Sequence, residues 1–403
     1  MKITKLSLIA ALAISAAFAG GDIEKPEVII VPTPEVATTV DGLAKLYFMS
    51  NSTASTSGSA AGVTLNVTHK LFDGVKANFS AVGTMNFAPT TTADNITLEK
   101  TTADLSKNVD GATAGAFFNV ANLTMTYGGT TLVAGRQLLA SPLVGGYNWR
   151  MASGAFEAYT LVNSSISNLT LVGTYITKWR QNGAGDNWID LTQIKNTAGN
   201  SANWGFGAIY NAADYGTLSA WYYNVDAHDY TQYYVDYGFK AYGMGVKAQY
   251  AGTTYATGNS RILNNGATST SVYGVELSTE VYGMKLVAAL NSFTDGNTEF
   301  IGTNGLYTTS WNTLSIAPAL LQKTDTSATA YKVAISGDVF GLDTMISYAG
   351  YNTDNSDNGS ELDVIVGYNY NKTIGAQVIY SSTTATGTTT ANNVVEVALT
   401  YKF

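Results

Sequence analysis

Few side chains in this sequence are able to do covalent or metal chemistry. There are two histidines, His69 and His228, and no cysteine in 403 residues. His69 falls at the turn-proximal end of an alternating run and His228 in a polar stretch after Asn224, so neither sits where a nucleophile and its base would be paired. Without cysteine there is no disulfide framework, no thiolate metal site and no lipid-modified amino terminus. Asp354-Asn355-Ser356-Asp357-Asn358-Gly359 is like the opening of a calcium loop, but its twelfth position is Ile365 where a bidentate glutamate belongs. A solvated turn is expected there, with a loose calcium site on Asp354, Asp357 and Glu361 as the lesser alternative; otherwise no cofactor is expected. What remains is a series of single charges embedded in apolar runs: Lys76 between Val75 and Ala77, Asp236 between Val235 and Tyr237, and in the same way Lys247, Glu276, Lys285, Lys332 and Asp363. Their chemistry is electrostatic, and its use depends on the elements that carry them.

Those elements are strands. The last run, Val395-Glu396-Val397-Ala398-Leu399-Thr400-Tyr401-Lys402-Phe403, places Val395, Val397, Leu399, Tyr401 and Phe403 on one face and Glu396, Thr400 and Lys402 on the other. An amphipathic strand with a terminal aromatic suits a barrel whose apolar face meets lipid and whose charged face meets a wet lumen. Tyr401 and Phe403 are therefore read as the signal for the barrel-assembly machinery. At the other end, Lys2 and Lys5 precede an apolar run that closes on Ala17-Phe18-Ala19, so residues 1–19 read as a secretory signal. That run is too short to cross a bilayer as a helix, and no later segment is long enough without a polar break. Any membrane insertion must use strands.

Composition agrees. Charged residues make up 12% of the chain, well below the ~25% of soluble domains, while there are 40 glycines and 26 tyrosines. The net charge is −8, and −10 once the two lysines of the signal are gone, which excludes an electrostatic nucleic-acid binder. Residues 20–42 hold three of the six prolines and several acids; proline cannot donate to a hydrogen-bond ladder, so this segment reads as a periplasmic leader.

From residue 43 to 403, amphipathic runs recur in pairs joined by short turns: 62–70 with 74–85, 116–127 with 131–137, 204–210 with 217–224, 231–237 with 244–250, 271–277 with 284–291, 330–336 with 342–348 and 362–368 with 374–380. Longer polar stretches separate them, including 88–111, 181–203, 255–268 and 293–329. With runs at 43–49, 156–162, 169–180 and 395–403, this predicts an all-β, antiparallel transmembrane barrel of about 18 strands, with short periplasmic turns and long extracellular loops. A Lys or Arg on the lipid face at mid-membrane costs about 2–4 kcal/mol, so the charges within strands are expected to line the lumen. On run 169–180, Leu169, Leu171, Tyr175 and Trp179 take one face, and Lys178 and Arg180 the other.

One stretch carries more than pattern. Gly135-Arg136-Gln137-Leu138-Leu139-Ala140-Ser141-Pro142-Leu143, then Trp149-Arg150-Met151, then Phe156-Glu157-Ala158 and a strand ending Thr177-Lys178-Trp179-Arg180, resembles the OprD-type porins and the major outer-membrane porins of epsilonproteobacteria. The resemblance covers about 45 residues closely. It implies an eighteen-stranded barrel whose loop 138–154 folds into the lumen as a constriction, with Arg136 and Arg150 lining it, Glu157 near their level, and Lys178 and Arg180 nearby. It also implies a homotrimer. The sequence departs from those families in having only four arginines, Arg136, Arg150, Arg180 and Arg261, so their arginine ladder is at best partly reproduced, with lysine on some rungs.

The function expected is that of a Gram-negative outer-membrane porin: passive diffusion of ions and small hydrophilic solutes, with lipid and lipopolysaccharide around the wall. Positive charge from Arg136, Arg150 and Lys178 at the narrowest point would favour anions locally. A structural or adhesive barrel with a plugged pore is the alternative, and an enzyme is not expected.

Overall fold

In the computed structural model the described residues are 37–52, 56–86, 114–192, 201–257, 268–296, 298–311, 327–354, 358–385 and 391–403. Eighteen strands build the wall: β1 Thr38–Asn51, β2 Thr56–Phe72, β3 Val75–Asn86, β4 Ala114–Tyr127, β5 Thr130–Gln137, β6 Ala155–Asn163, β7 Leu169–Arg180, β8 Asn203–Asn211 and β9 Thr217–Val225, then β10 Tyr230–Ala241, β11 Met244–Tyr255, β12 Ser269–Val281, β13 Met284–Thr294, β14 Ala328–Val339, β15 Leu342–Thr353, β16 Asn358–Asn369, β17 Ile374–Ala385 and β18 Asn392–Lys402. Each pairs antiparallel with the next. Leu46 of β1 lies opposite both Ala61 of β2 and Leu399 of β18, so the sheet closes on itself. This is the even-numbered antiparallel barrel that the alternating runs predict.

The wall starts earlier than the alternation suggests. Val40 and Asp41 pair with Val67 and Asn66, so the segment expected as leader gives its last five residues to β1. Nothing after Pro34 prevents the backbone from donating to a ladder. The expected signal and residues 20–36 of the leader lie outside the described residues.

Three of the short turns share one design. Tyr242-Gly243, Tyr282-Gly283 and Phe340-Gly341 each form a two-residue hairpin with both φ angles positive, at 52° and 78°, 52° and 75°, and 55° and 81°. Two positive φ values define the type I′ turn, whose twist matches that of the strands and whose first position is ordinarily Asn, Asp or Gly. Here an aromatic takes it, and the rings of Tyr242, Tyr282 and Phe340 stand fully exposed. Phe72, Tyr127, Tyr215 and Tyr370 are exposed at the same end, completing an aromatic girdle at one membrane interface.

Alternation sorts the wall into two faces. Leu46, Val63, Leu123, Phe206, Val275, Leu290 and Leu399 point outward and are about half exposed, as a lipid-facing band requires. The inward face holds Phe156, Ala158, Ile176, Tyr223 and Phe293, which are buried because loops fold in and pack on them with Leu139, Leu143, Ile301 and Leu306.

Candidate permeation site

Two loops enter the lumen. Loop 138–154, between β5 and β6, turns inward, burying Leu143 and Val144 almost completely. Loop 295–311, after β13, does so too, although its polar composition suggests an extracellular position. The loops are joined by a two-residue parallel bridge between Val144–Gly145 and Ile301–Gly302. The Ile301 N–H donates to Leu143 O at 2.8 Å and the Gly305 N–H to Pro142 O at 2.7 Å. Gly302 has φ +80° and a Cβ there would lie 2.1 Å from Gly145 O, so the bridge needs glycine at this point. The second loop is fixed to the wall by Glu299 N–H to Thr253 Oγ1 at 2.9 Å, Tyr255 OH to Glu299 Oε1 at 3.0 Å and Asn291 Nδ2 to Thr308 Oγ1 at 3.0 Å. Ile301, Leu306, Tyr307 and Trp311 are the sequence signal for its docking: a solvated loop has no use for four large apolar side chains.

Both loops converge on the inner face of β18. Trp149 Nε1 donates to Glu396 Oε2 at 3.0 Å, Trp311 Nε1 to Glu396 Oε1 at 3.2 Å, and the Tyr47 hydroxyl also donates to Oε2. Glu396 is 1% exposed. Next to it, Asp363 accepts from Ser381 Oγ at 2.7 Å, Ser347 Oγ at 3.1 Å and the Trp311 N–H at 3.2 Å. Lys332 donates to Thr309 O and Lys45 to Arg150 O, each at 2.7 Å, so two wall cations hold loop carbonyls. Arg150 itself is on the inward loop, with φ 56° and its guanidinium 4.1 Å from the Trp149 ring centroid. Burial raises the neighbouring Tyr147 hydroxyl above the usual phenol range, with Arg150 acting against that rise. The lumen at the level of the loops therefore has both signs of charge: Glu361, Asp363 and Glu396 against Lys45, Arg150 and Lys332.

Four of the five residues expected at the constriction are elsewhere. Arg136 lies opposite Ala121 and Glu157, two rows from the pair of Ala134 and Tyr159. Tyr159 and Leu161 are about half exposed, whereas Val133, Gln137, Phe156 and Ala158 are buried on the other face. Since residues two apart share a face, Arg136 and Glu157 point outward. Lys178 lies opposite Glu157, and Ile176 opposite Ala158, which leaves Thr177 as an extra residue in a β-bulge. The bulge reverses the parity expected for this strand: Lys178 joins the outer face with Tyr175, and Trp179 turns in, its Nε1 3.7 Å from where a Cβ on Gly302 would lie. On the outside, Glu157 pairs with Lys178 at 3.2 Å and Arg136 at 3.8 Å, Arg136 lies 3.7 Å from Asp186, and its guanidinium covers the Trp188 ring at 4.4 Å. This ionic band sits just beyond Tyr159, Tyr175 and Trp204, an aromatic row at the loop-side interface. There, the cost of a charge on the lipid face falls to about 0–1 kcal/mol, so the rule that strand charges face inward no longer holds.

Arg180 is fully buried in the wall. The strands β5 and β6 are short and leave a notch beside the upper half of β4. Arg180 fills it, donating to Asn119 Oδ1 at 3.1 Å, Ser153 O at 2.6 Å and Gly185 O at 3.1 Å, with its guanidinium 4.4 Å from the Phe117 ring. It is a strut and does not line the pore.

Residues 90–375 of the sequence match the family described as outer membrane porin, OprD family. The chain belongs to that family. No curated protein matches the sequence. The fold is that of solved structures at low sequence identity. OpdK from Pseudomonas aeruginosa is 14% identical with a TM-score of 0.70, the match covering 91% of this chain and 98% of that one. OccK9 (OpdG) from Pseudomonas aeruginosa is 15% identical with a TM-score of 0.71, covering 91% and 97%. OccAB2 from Acinetobacter baumannii is 14% identical with a TM-score of 0.72, covering 91% and 98%. As an OprD-family porin, the protein is an outer-membrane barrel for the diffusion of small solutes.

In this porin, pairing puts Lys76, Asp236, Lys247, Glu276, Lys285, Lys332 and Asp363 on the inward face. Lys247 and Glu276 pair at 2.8 Å, Lys332 and Asp363 are brought together under the second loop, and Lys76 and Lys285 lie near the short-turn end. Tyr401 and Phe403 are on the outer face, stacked with centroids 6.1 Å apart. Of the loose calcium set, Asp357 lies outside the described residues. Glu361 is buried on the inner wall and accepts from Thr383 Oγ1 at 3.0 Å, so it does not reach toward the loop.

Proposed function

We propose that this porin is a weakly selective channel for small hydrophilic solutes, its aperture set by two inward loops. The observation that carries the reading is the convergence of loops 138–154 and 295–311 on a wall with interleaved charges of both signs. Mixed charges in a narrow passage partly cancel at the range of a solute, so neither anions nor cations are strongly favoured. With Arg136 and Lys178 outside, Arg150 is the arginine left to counter the carboxylates, and the anion preference expected from three basic groups is reduced. The test is single-channel current in planar bilayers with reversal potentials in a salt gradient. Steady conductance with a small reversal potential supports the reading, whereas the absence of conductance favours a plugged, adhesive barrel.

The remaining assignments belong to the same proposal. The protein acts without catalysis, assembles as a homotrimer, presents Phe403 to the barrel-assembly machinery, and meets lipopolysaccharide at the level of the outer ionic band. Crosslinking in native outer membranes tests the trimer.

A further inference from the structure

Among the described residues, both lumenal loops are hydrogen-bonded by side chains to the carboxylate of Glu396: Trp149 from the first loop and Trp311 from the second. We propose that Glu396 is a latch that holds the two loops in their inward positions together, and so determines the width of the passage. This rests on the porin reading above and adds to it the residue that sets the aperture.

The geometry suits a latch. Met49 and Ile379 flank Glu396 on the neighbouring strands β1 and β17, so its backbone is held in the closed wall and does not move with either loop. Each carboxylate oxygen accepts from a different loop, Oε2 from Trp149 and Oε1 from Trp311, while Tyr47 on β1 also donates to Oε2. The side chain is 1% exposed, so these donors replace the water that a carboxylate otherwise keeps. Indole N–H groups donate only, and when a loop leaves, its indole must find another acceptor. The parallel bridge of Val144–Gly145 with Ile301–Gly302 joins the loops at a second point. Two attachments therefore make the loops one body: release at Glu396 loosens both ends toward β18, and neither loop swings alone.

Loss of a hydrogen bond to a charged acceptor changes a docking equilibrium by about ten- to a hundredfold. In Glu396→Ala both loops lose their shared acceptor, so long-lived closed current levels should give way to larger, noisier ones, and the permeation of larger neutral solutes in liposome swelling should rise. Trp149→Phe and Trp311→Phe, which leave the wall untouched, should each produce part of that change, and adding either to Glu396→Ala should add little. Glu396→Gln keeps one acceptor oxygen and should fall between. Heat-modifiable mobility on gels checks that every variant is a folded barrel. If wild type conducts and Glu396→Ala, Trp149→Phe and Trp311→Phe all keep its conductance, noise and size cut-off, the latch is wrong although the porin reading stands. If wild type itself gives no steady conductance, the porin reading fails first.

Discussion

Arg136 and Arg150 are fourteen positions apart and both were natural candidates for the pore, yet they lie on opposite sides of the wall. Their substitution should therefore separate. Arg150→Ala removes a cation from a narrow, low-dielectric passage and should shift the reversal potential toward cation preference; Arg136→Ala should leave it unchanged at physiological salt, because the wall and a screening length of about 8 Å lie between it and the permeating ions. A shift in the Arg136 variant would contradict the outward placement. Arg180 has a different consequence. Replacing it with Ala removes the donors to Asn119 Oδ1, Ser153 O and Gly185 O in a buried notch, leaving Ser153 O with the Asn119 amide, at about 1–3 kcal/mol for an acceptor that is left unpaired and that water does not reach. Urea unfolding of the Arg180→Ala barrel should show that loss without any change in ion selectivity.

Among the elements, β7 and the short hairpins are the informative ones. Thr177 is the extra residue of the bulge, so deleting it restores a regular ladder with Ile176 inside and Lys178 outside, as before. That deletion should be tolerated, with wild-type yields of heat-modifiable protein, whereas deleting Thr174 would reverse the faces of the rest of the strand and prevent assembly. The hairpins give a second prediction. An aromatic in the left-handed region costs about 1–2 kcal/mol relative to residues that tolerate it. Asn at Tyr242, Tyr282 or Phe340 should therefore stabilise the barrel in detergent micelles by about 1 kcal/mol per turn. In lipid vesicles the gain should shrink, since the rings then lose their place at the bilayer interface. Equal gains in both media would show that the rings do nothing for the membrane.

The same elements show what was legible in the sequence. Strand number, turn positions and the lipid face of β18 follow from period-two alternation, which is local and holds wherever one face is apolar. The bulge at Thr177 leaves no local mark, since an added residue shifts parity without altering composition. Gly135-Arg136-Gln137 and Phe156-Glu157-Ala158 carry a resemblance that implies a pore-lining position, but Leu132 shares the face of Arg136 and Tyr159 that of Glu157, and both charges turn outward at the interface, where a charge on the lipid face costs little. Glu396 was visible only as the polar side of a strand. Its role depends on Trp149 and Trp311, 247 and 85 residues away along the chain, and no local pattern encodes such a meeting.

At the scale of the whole molecule, closure joins β1 to β18. Gly42 exchanges backbone hydrogen bonds with Phe403, and a Cβ at Gly42 would lie 2.3 Å from the Phe403 ring. Removing Phe403 should lower the amount of folded barrel in the outer membrane while secretion continues, and Gly42→Ala should have a milder effect of the same kind by displacing the ring. Unchanged yields of heat-modifiable protein in both variants would show that the seam tolerates an open edge.

The two loops have one more effect, and it is mechanical. Each begins at one arc of the cylinder and is tied to another: 138–154 runs from β5 to β1 and β18, and 295–311 from β13 to β16 and β18. They span the circular section as chords and brace each other where the parallel bridge joins them. A single-layered cylinder without chords flattens easily under lateral pressure, since its wall bends at little cost. A braced one keeps its roundness, so the bore of this channel should be nearly indifferent to how tightly the surrounding bilayer is packed.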